Sequence, residues 1–152
     1  MRVAKFTSYS LLVMASLGLS ALPVSSFGAL TKKVAQVSPR QKVIIQVSDA
    51  DPKKWALALN NAANVQEDLG KSNVDVEIVA YGPGLGMLKL DSESGERVKN
   101  AMDEGVKVMA CENTMRKQKL TQADMLPSLG YVKAGVVELM AKQAEGYAYI
   151  RP

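Results

Sequence analysis

Three short apolar runs set the tightest limit on how this chain can fold. They are residues 42–48 (KVIIQVS), 74–81 (VDVEIVAY) and 106–111 (VKVMAC). Each is rich in β-branched residues and has the length of a strand. Between the first two lies a stretch with helical spacing. Asp51 followed by Pro52 marks its start, pairing an N-cap residue with a proline at the first helical position, and Gly70 marks its end. Its predicted inner stripe is Trp55, Ala58, Leu59, Ala62, Val65 and Leu69. A second helix is predicted from Gly95 to about Glu104, capped by Ser94, with Val98, Ala101 and Met102 inward. A third runs from Gly135 to Glu145, with Val136, Leu139, Met140 and Gln143 on or near one face. Short strands are expected at 131–132 and 147–150, and one short turn at 124–126. In the second strand Asp75 and Glu77 alternate with apolar residues, so one face of its first half is expected to meet water. Strands alternating with helices in this way give an α/β layer fold with a mainly parallel sheet.

The N-terminus reads as an address and not as part of that fold. Arg2 and Lys5 form a positive start, an apolar run follows from Leu11 to Val24, and small residues appear at Ser25, Ser26, Gly28 and Ala29. That order is a secretory signal peptide over residues 1–28, cut after Gly28 or, as a second choice, after Ser26. The apolar run is shorter than the roughly 20 residues of a spanning helix. Residues 29–41 form a flexible lead-in, and residues 42–152 form the domain. Loss of Arg2 and Lys5 takes the 19 basic residues to 17 against 15 acidic ones, a net charge of +2. So balanced a charge, with two Phe and one Trp, argues against a nucleic-acid partner.

Two counts exclude whole classes of chemistry. The chain has no histidine and one cysteine. There is no Ser-His-Asp or Cys-His triad, no internal disulfide and no cysteine-rich zinc site. No cofactor is implied. Carboxylates, lysines, tyrosines and one thiol remain.

Open parallel sheets bind ligands beyond the carboxyl ends of their strands. Two segments are predicted there. Cys111 ends the third strand and enters a turn containing the cap-type residues Asn113 and Thr114. If that turn opens a helix, its free N–H groups favour thiolate over thiol. Lys107, Arg116, Lys117 and Lys119 add positive charge nearby, and Glu112 opposes it. The other reading of Cys111 is a small buried hydrophobe at a strand end. The second segment, Gly82-Pro83-Gly84-Leu85-Gly86, offers backbone N–H groups from around Gly82 and Gly84 to an anion. It lacks a full dinucleotide-binding glycine spacing, and a tight structural loop is the better reading of it. Met109 and Met115 flank Cys111, and soft sulfur ligands select Cu(I), but Met109 shares a strand face with Cys111 and reads as core.

Four segments in order resemble the DsrE/DsrF-like family. They are Leu59-Asn60-Asn61-Ala62-Ala63-Asn64, Val79-Ala80-Tyr81-Gly82-Pro83-Gly84, Val108-Met109-Ala110-Cys111-Glu112-Asn113-Thr114-Met115, and the stretch from Gly135 to Ile150. The resemblance implies a three-layer α/β/α domain with about five strands, forming homo-oligomers such as trimers or hexamers. It implies that Cys111 stands where the family's sulfur-carrying cysteine stands, taking sulfur from a donor protein and passing it to an acceptor. This chain resembles an exported, stand-alone member, whereas the best-known relays work in the cytoplasm as mixed complexes.

Two functions from different classes follow. One is a periplasmic sulfur carrier holding a persulfide on Cys111, supported by Asn113, Thr114, Gly82 and Gly84, with no membrane span after cleavage. The other is a non-enzymatic oligomeric protein that binds a small anion or a partner segment, with Cys111 merely packed. Cu(I) binding is a weaker third.

Overall fold

The computed structural model describes residues 40–152. Residues 1–28, read from the sequence as a signal peptide, and most of the expected lead-in lie outside the described residues. Five strands, β1 (Gln41–Val47), β2 (Val74–Ala80), β3 (Lys107–Cys111), β4 (Gly130–Val132) and β5 (Ala148–Ile150), form one sheet in the order β4-β3-β2-β1-β5. Every pairing is parallel. The helices are α1 (Pro52–Leu69), α2 (Gly95–Asp103), α3 (Glu112–Lys117) and α4 (Gly135–Ala144).

Successive strand residues point to opposite faces, and the two faces are covered unequally. Val43, Ile45 and Val47 of β1, Val76, Ile78 and Ala80 of β2, and Val108 and Ala110 of β3 share the main core with α1, Val98 of α2 and Met115 of α3. On the opposite face, Ile44 and Val79 meet Leu139 of α4 and Tyr147, with Tyr81, Met109 and Val132 at the margin. This is the three-layer α/β/α arrangement, with a thick layer on one side and the single helix α4 on the other.

Local chemistry explains the element ends. The Asp51 side chain accepts from the Lys53 N–H at 2.9 Å, and Gly70 closes α1 at φ +83°. Gly105 ends α2 in the same left-handed region, at φ +89°. Ser94 precedes α2, but its hydroxyl makes no cap.

Several sequence expectations are corrected. Leu69 is exposed, at 44%, and Gln66 takes its place on the inner stripe, donating to the Glu104 carbonyl at 2.9 Å. On α4, Val136 and Met140 face outward, at 54% and 66% exposure, and only Gly135 and Leu139 are buried. The segment Gly82–Leu88 is a continuous 3₁₀ turn and not an open loop. Glu77, expected to face water, is only 2% exposed, because α4 lies over it.

Candidate functional site

Cys111 is the last residue of β3 and the N-cap of α3. The apolar β3 run carries it to the carboxyl end of the sheet, and the polar run that follows turns into helix at once. Its side chain points to the α4 face and is 4% exposed. The first N–H of α4, on Gly135, donates to Cys111 Sγ at 3.3 Å. Burial pushes the thiol up. The Thr114 side chain and the N–H dipoles of Gly135, Thr114 and Asn113 outweigh burial, so the thiol lies below its ordinary value. The Asn113 N–H is itself committed to the Lys133 carbonyl at 3.1 Å, so it acts on the sulfur as a dipole and Gly135 acts as the bond.

The residues singled out in the sequence come together in part. Thr114 Oγ1 accepts from the Gly82 N–H at 2.9 Å, and Gln118 Nε2 donates to the Gly82 carbonyl at 3.2 Å. The 3₁₀ turn is thereby tied to α3. Gly82 adopts φ +54°, a left-handed conformation that glycine accepts readily. Asn113 points its side chain at Arg116, whose guanidinium donates to Asn113 Oδ1. Gly84 does not face the thiol. It lies against the Val47–Ser48 backbone, where a Cβ would overlap the Val47 carbonyl and come within 2.8 Å of the Ser48 nitrogen. Met115 and Met87 are core residues, and Met109 is half-buried against Gly130. Among the described residues, no group of three His, Cys, Asp or Glu side chains is placed to hold a metal ion.

Sequence reading missed Gly135 and Tyr81. A Cβ on Gly135 would stand 3.0 Å from Cβ and Cδ1 of Tyr81. Only glycine lets α4 come down this far. Beyond Tyr81, the Tyr149 hydroxyl donates to Gln46 Oε1 at 2.6 Å, and Gln46 Nε2 donates to Ser48 Oγ at 2.9 Å. α4 and the β4–α4 connection border an open pocket of about 370 Å³ lined by Asn113, Val132, Lys133, Ala134, Val137 and Glu138, with Cys111 not in its lining. A glycine at the first position of a predicted helix was the one available signal for such a close approach.

The model of the DsrE/DsrF-like family matches residues 41–152, the whole sheet and all four helices. The chain belongs to the DsrE/DsrF-like family. That family is associated with sulfur relay. Among solved structures of this fold, the protein of unknown function MTH1491 from Methanobacterium thermoautotrophicum is 34% identical, with a TM-score of 0.71 over 74% of this chain and 99% of that one. The conserved protein of unknown function BT1422 from Bacteroides thetaiotaomicron superposes with a TM-score of 0.60 at 12% identity, over 74% of this chain and 95% of that one. The second likeness is one of DsrE fold alone. No curated protein matches the chain.

Proposed function

We propose that this DsrE-family protein carries sulfur as a persulfide on Cys111. The observation that supports this reading most is the placement of the chain's one thiol. It sits at the carboxyl end of a parallel strand, held below its ordinary pKa by the Thr114 side chain and by N–H groups of two helix starts. The thiolate attacks the outer sulfur of a donor persulfide or of thiosulfate. A bond forms between Sγ and that sulfur, and the donor's S–S bond breaks. The donor's remaining thiolate, or sulfite, leaves with the electron pair. The new outer sulfur is itself anionic at neutral pH, so the N–H groups that favour the thiolate also favour its product. An acceptor thiolate then attacks the same outer sulfur and returns Cys111 to the thiolate. With no second cysteine in the chain, no internal thiol discharges the persulfide as a disulfide.

The order of charge and apolar residues over 1–28 supports export, and the proposed compartment is the periplasm. The proposed state is a homo-oligomer, a reading favoured by the exposed Val136, Val137 and Met140 on α4. Donor and acceptor proteins are the proposed partners. The burial of Cys111 favours a second reading, in which the thiol is packed and the protein binds a small anion or a partner segment.

Intact mass after exposure to polysulfide or thiosulfate separates the two. A gain of one sulfur, removed by reduction and absent in Cys111→Ser, is the result expected of a carrier. No gain, with Cys111 unreactive until the protein is denatured, overturns the carrier and leaves the binding protein.

A further inference from the structure

The mechanism above makes no use of Glu77, yet it is the most unusual side chain in the domain. It projects from the central strand β2 and is 2% exposed. Among the described residues its Oε1 is the one buried side-chain oxygen or nitrogen with no hydrogen-bond partner. A buried carboxylate oxygen left without a partner carries a large desolvation cost.

Its charged surroundings come from several elements. Burial pushes its carboxyl up to about 7, and the nearby Glu138 carboxyl of α4 adds to the effect. Lys142 of α4 and Lys107 of β3 pull the other way. Lys142 is already shared, lying 3.7 Å from Glu138 and 3.2 Å from Glu145. It also stands 5.4 Å from the ring centre of Tyr147, with Lys42 of β1 at 5.5 Å. Asp75, two residues back on β2, adds further negative charge to this end of the face and is paired with Arg40. One ammonium, Lys142, thus serves Glu145 as well as the facing carboxyls Glu77 and Glu138, and a proton between Glu77 and Glu138 removes their repulsion.

Glu138 is one turn from Gly135 on α4, and Gly135 supplies the hydrogen bond to Cys111 Sγ. We propose that Glu77 is a positioning residue for the thiol, holding α4 against the sheet in its protonated form so that the Gly135 N–H reaches the sulfur. This rests on the reading of Cys111 as the working group. When Glu77 ionises beside Glu138, α4 is repelled from the sheet, the N–H···S contact lengthens, and thiolate is less favoured. The persulfide site is then best supported on the acid side of neutrality.

The test is the ultraviolet absorbance of the thiolate across pH in the full domain, with Cys111→Ser subtracted. Glu77→Gln keeps the size of the side chain and the neutral form. At pH 8 it is expected to show at least a three-fold higher ratio of thiolate to thiol than the parent. Glu138→Gln, which relieves the same repulsion from the other side, is expected to act in the same direction. The effect is expected to disappear in a Gly135→Ala background, where the helix start is already displaced by Tyr81. Identical titrations of the parent and Glu77→Gln would overturn the proposal. So would an equal shift in the Gly135→Ala background, since that is through-space charge and not positioning. Sulfur loading is not part of the readout, so failure of the carrier reading and failure of this one are told apart.

Discussion

The backbone N–H of Gly135 lies 3.3 Å from the sulfur of Cys111, although the two residues are 24 positions apart. The contact joins the end of β3 to the start of α4. It is favoured by the missing side chain at Gly135, because a Cβ there would crowd Tyr81 at 3.0 Å. Gly135→Ala is therefore expected to raise the thiol pKa and to cost about 1–3 kcal/mol through overpacking. Thiolate absorbance and urea unfolding check the two effects. A substitution that changes neither would mean that α4 is not held by this contact.

Thr114 serves two neighbours. Its hydroxyl oxygen accepts from the Gly82 N–H, and the hydroxyl favours the Cys111 thiolate. Thr114→Val keeps the shape and removes both functions. The Gly82 N–H then loses its partner, at an expected cost of about 1–3 kcal/mol, and the thiol titrates higher. Thr114→Ser is expected to restore most of both. Equal stability of the valine and serine variants would argue that water replaces the lost partner.

Gly84 tests the packing of the 3₁₀ turn separately from the thiol. A Cβ there meets the Val47 and Ser48 backbone, which cannot rotate away. Gly84→Ala is expected to be among the most damaging single methyl additions, at about 3 kcal/mol or more. Gly105→Ala is the control, since nothing lies within 4 Å of that site and only its φ of +89° opposes a side chain. Denaturant midpoints rank the two, and the reverse order would contradict the described turn.

Glu77 gives stability a sign that carboxylates seldom give. Burial, then Glu138, raises its pKa from 4.5 to about 7. Between those values the folded chain holds a proton that the unfolded chain has lost. The contribution is fully present below about 4.5 and is lost as pH rises through about 7. The loss is expected to reach on the order of 2–3 kcal/mol, and Glu77→Gln removes this slope. Unfolding free energies of both proteins between pH 5 and pH 8 decide it, and parallel curves would refute it.

What could be read from the sequence was what local chemistry governs. Asp51 and Pro52 open α1 by hydrogen bonding within one turn, and the runs around Val43, Val76 and Val108 have strand length and composition. Cys111 falls at a strand end because the apolar run stops there. The errors share a different origin. Helical spacing puts Val136, Leu139 and Met140 on or near one stripe, but which flank meets the sheet depends on where α4 docks. Alternation on β2 marks Glu77 as a solvent residue, and only the return of the chain after β4 buries it. The Gly135–Cys111 bond arises from the same docking. Each of these positions depends on a partner from a remote segment, which no window of neighbouring residues contains.

The strand order has a consequence for when the molecule can assemble. Strand β1 precedes the others in the sequence, yet one of its two edges is closed only by β5, whose Tyr149 reaches back to Gln46 across 103 residues. Until β5 is available, Val43, Ile44 and Ile45 present open backbone along that edge. Parallel pairing between such distant segments is slow to form. A nascent chain is thus kept from closing its sheet until β5 has emerged, and loss of β5 would leave a sticky, unfinished edge along β1.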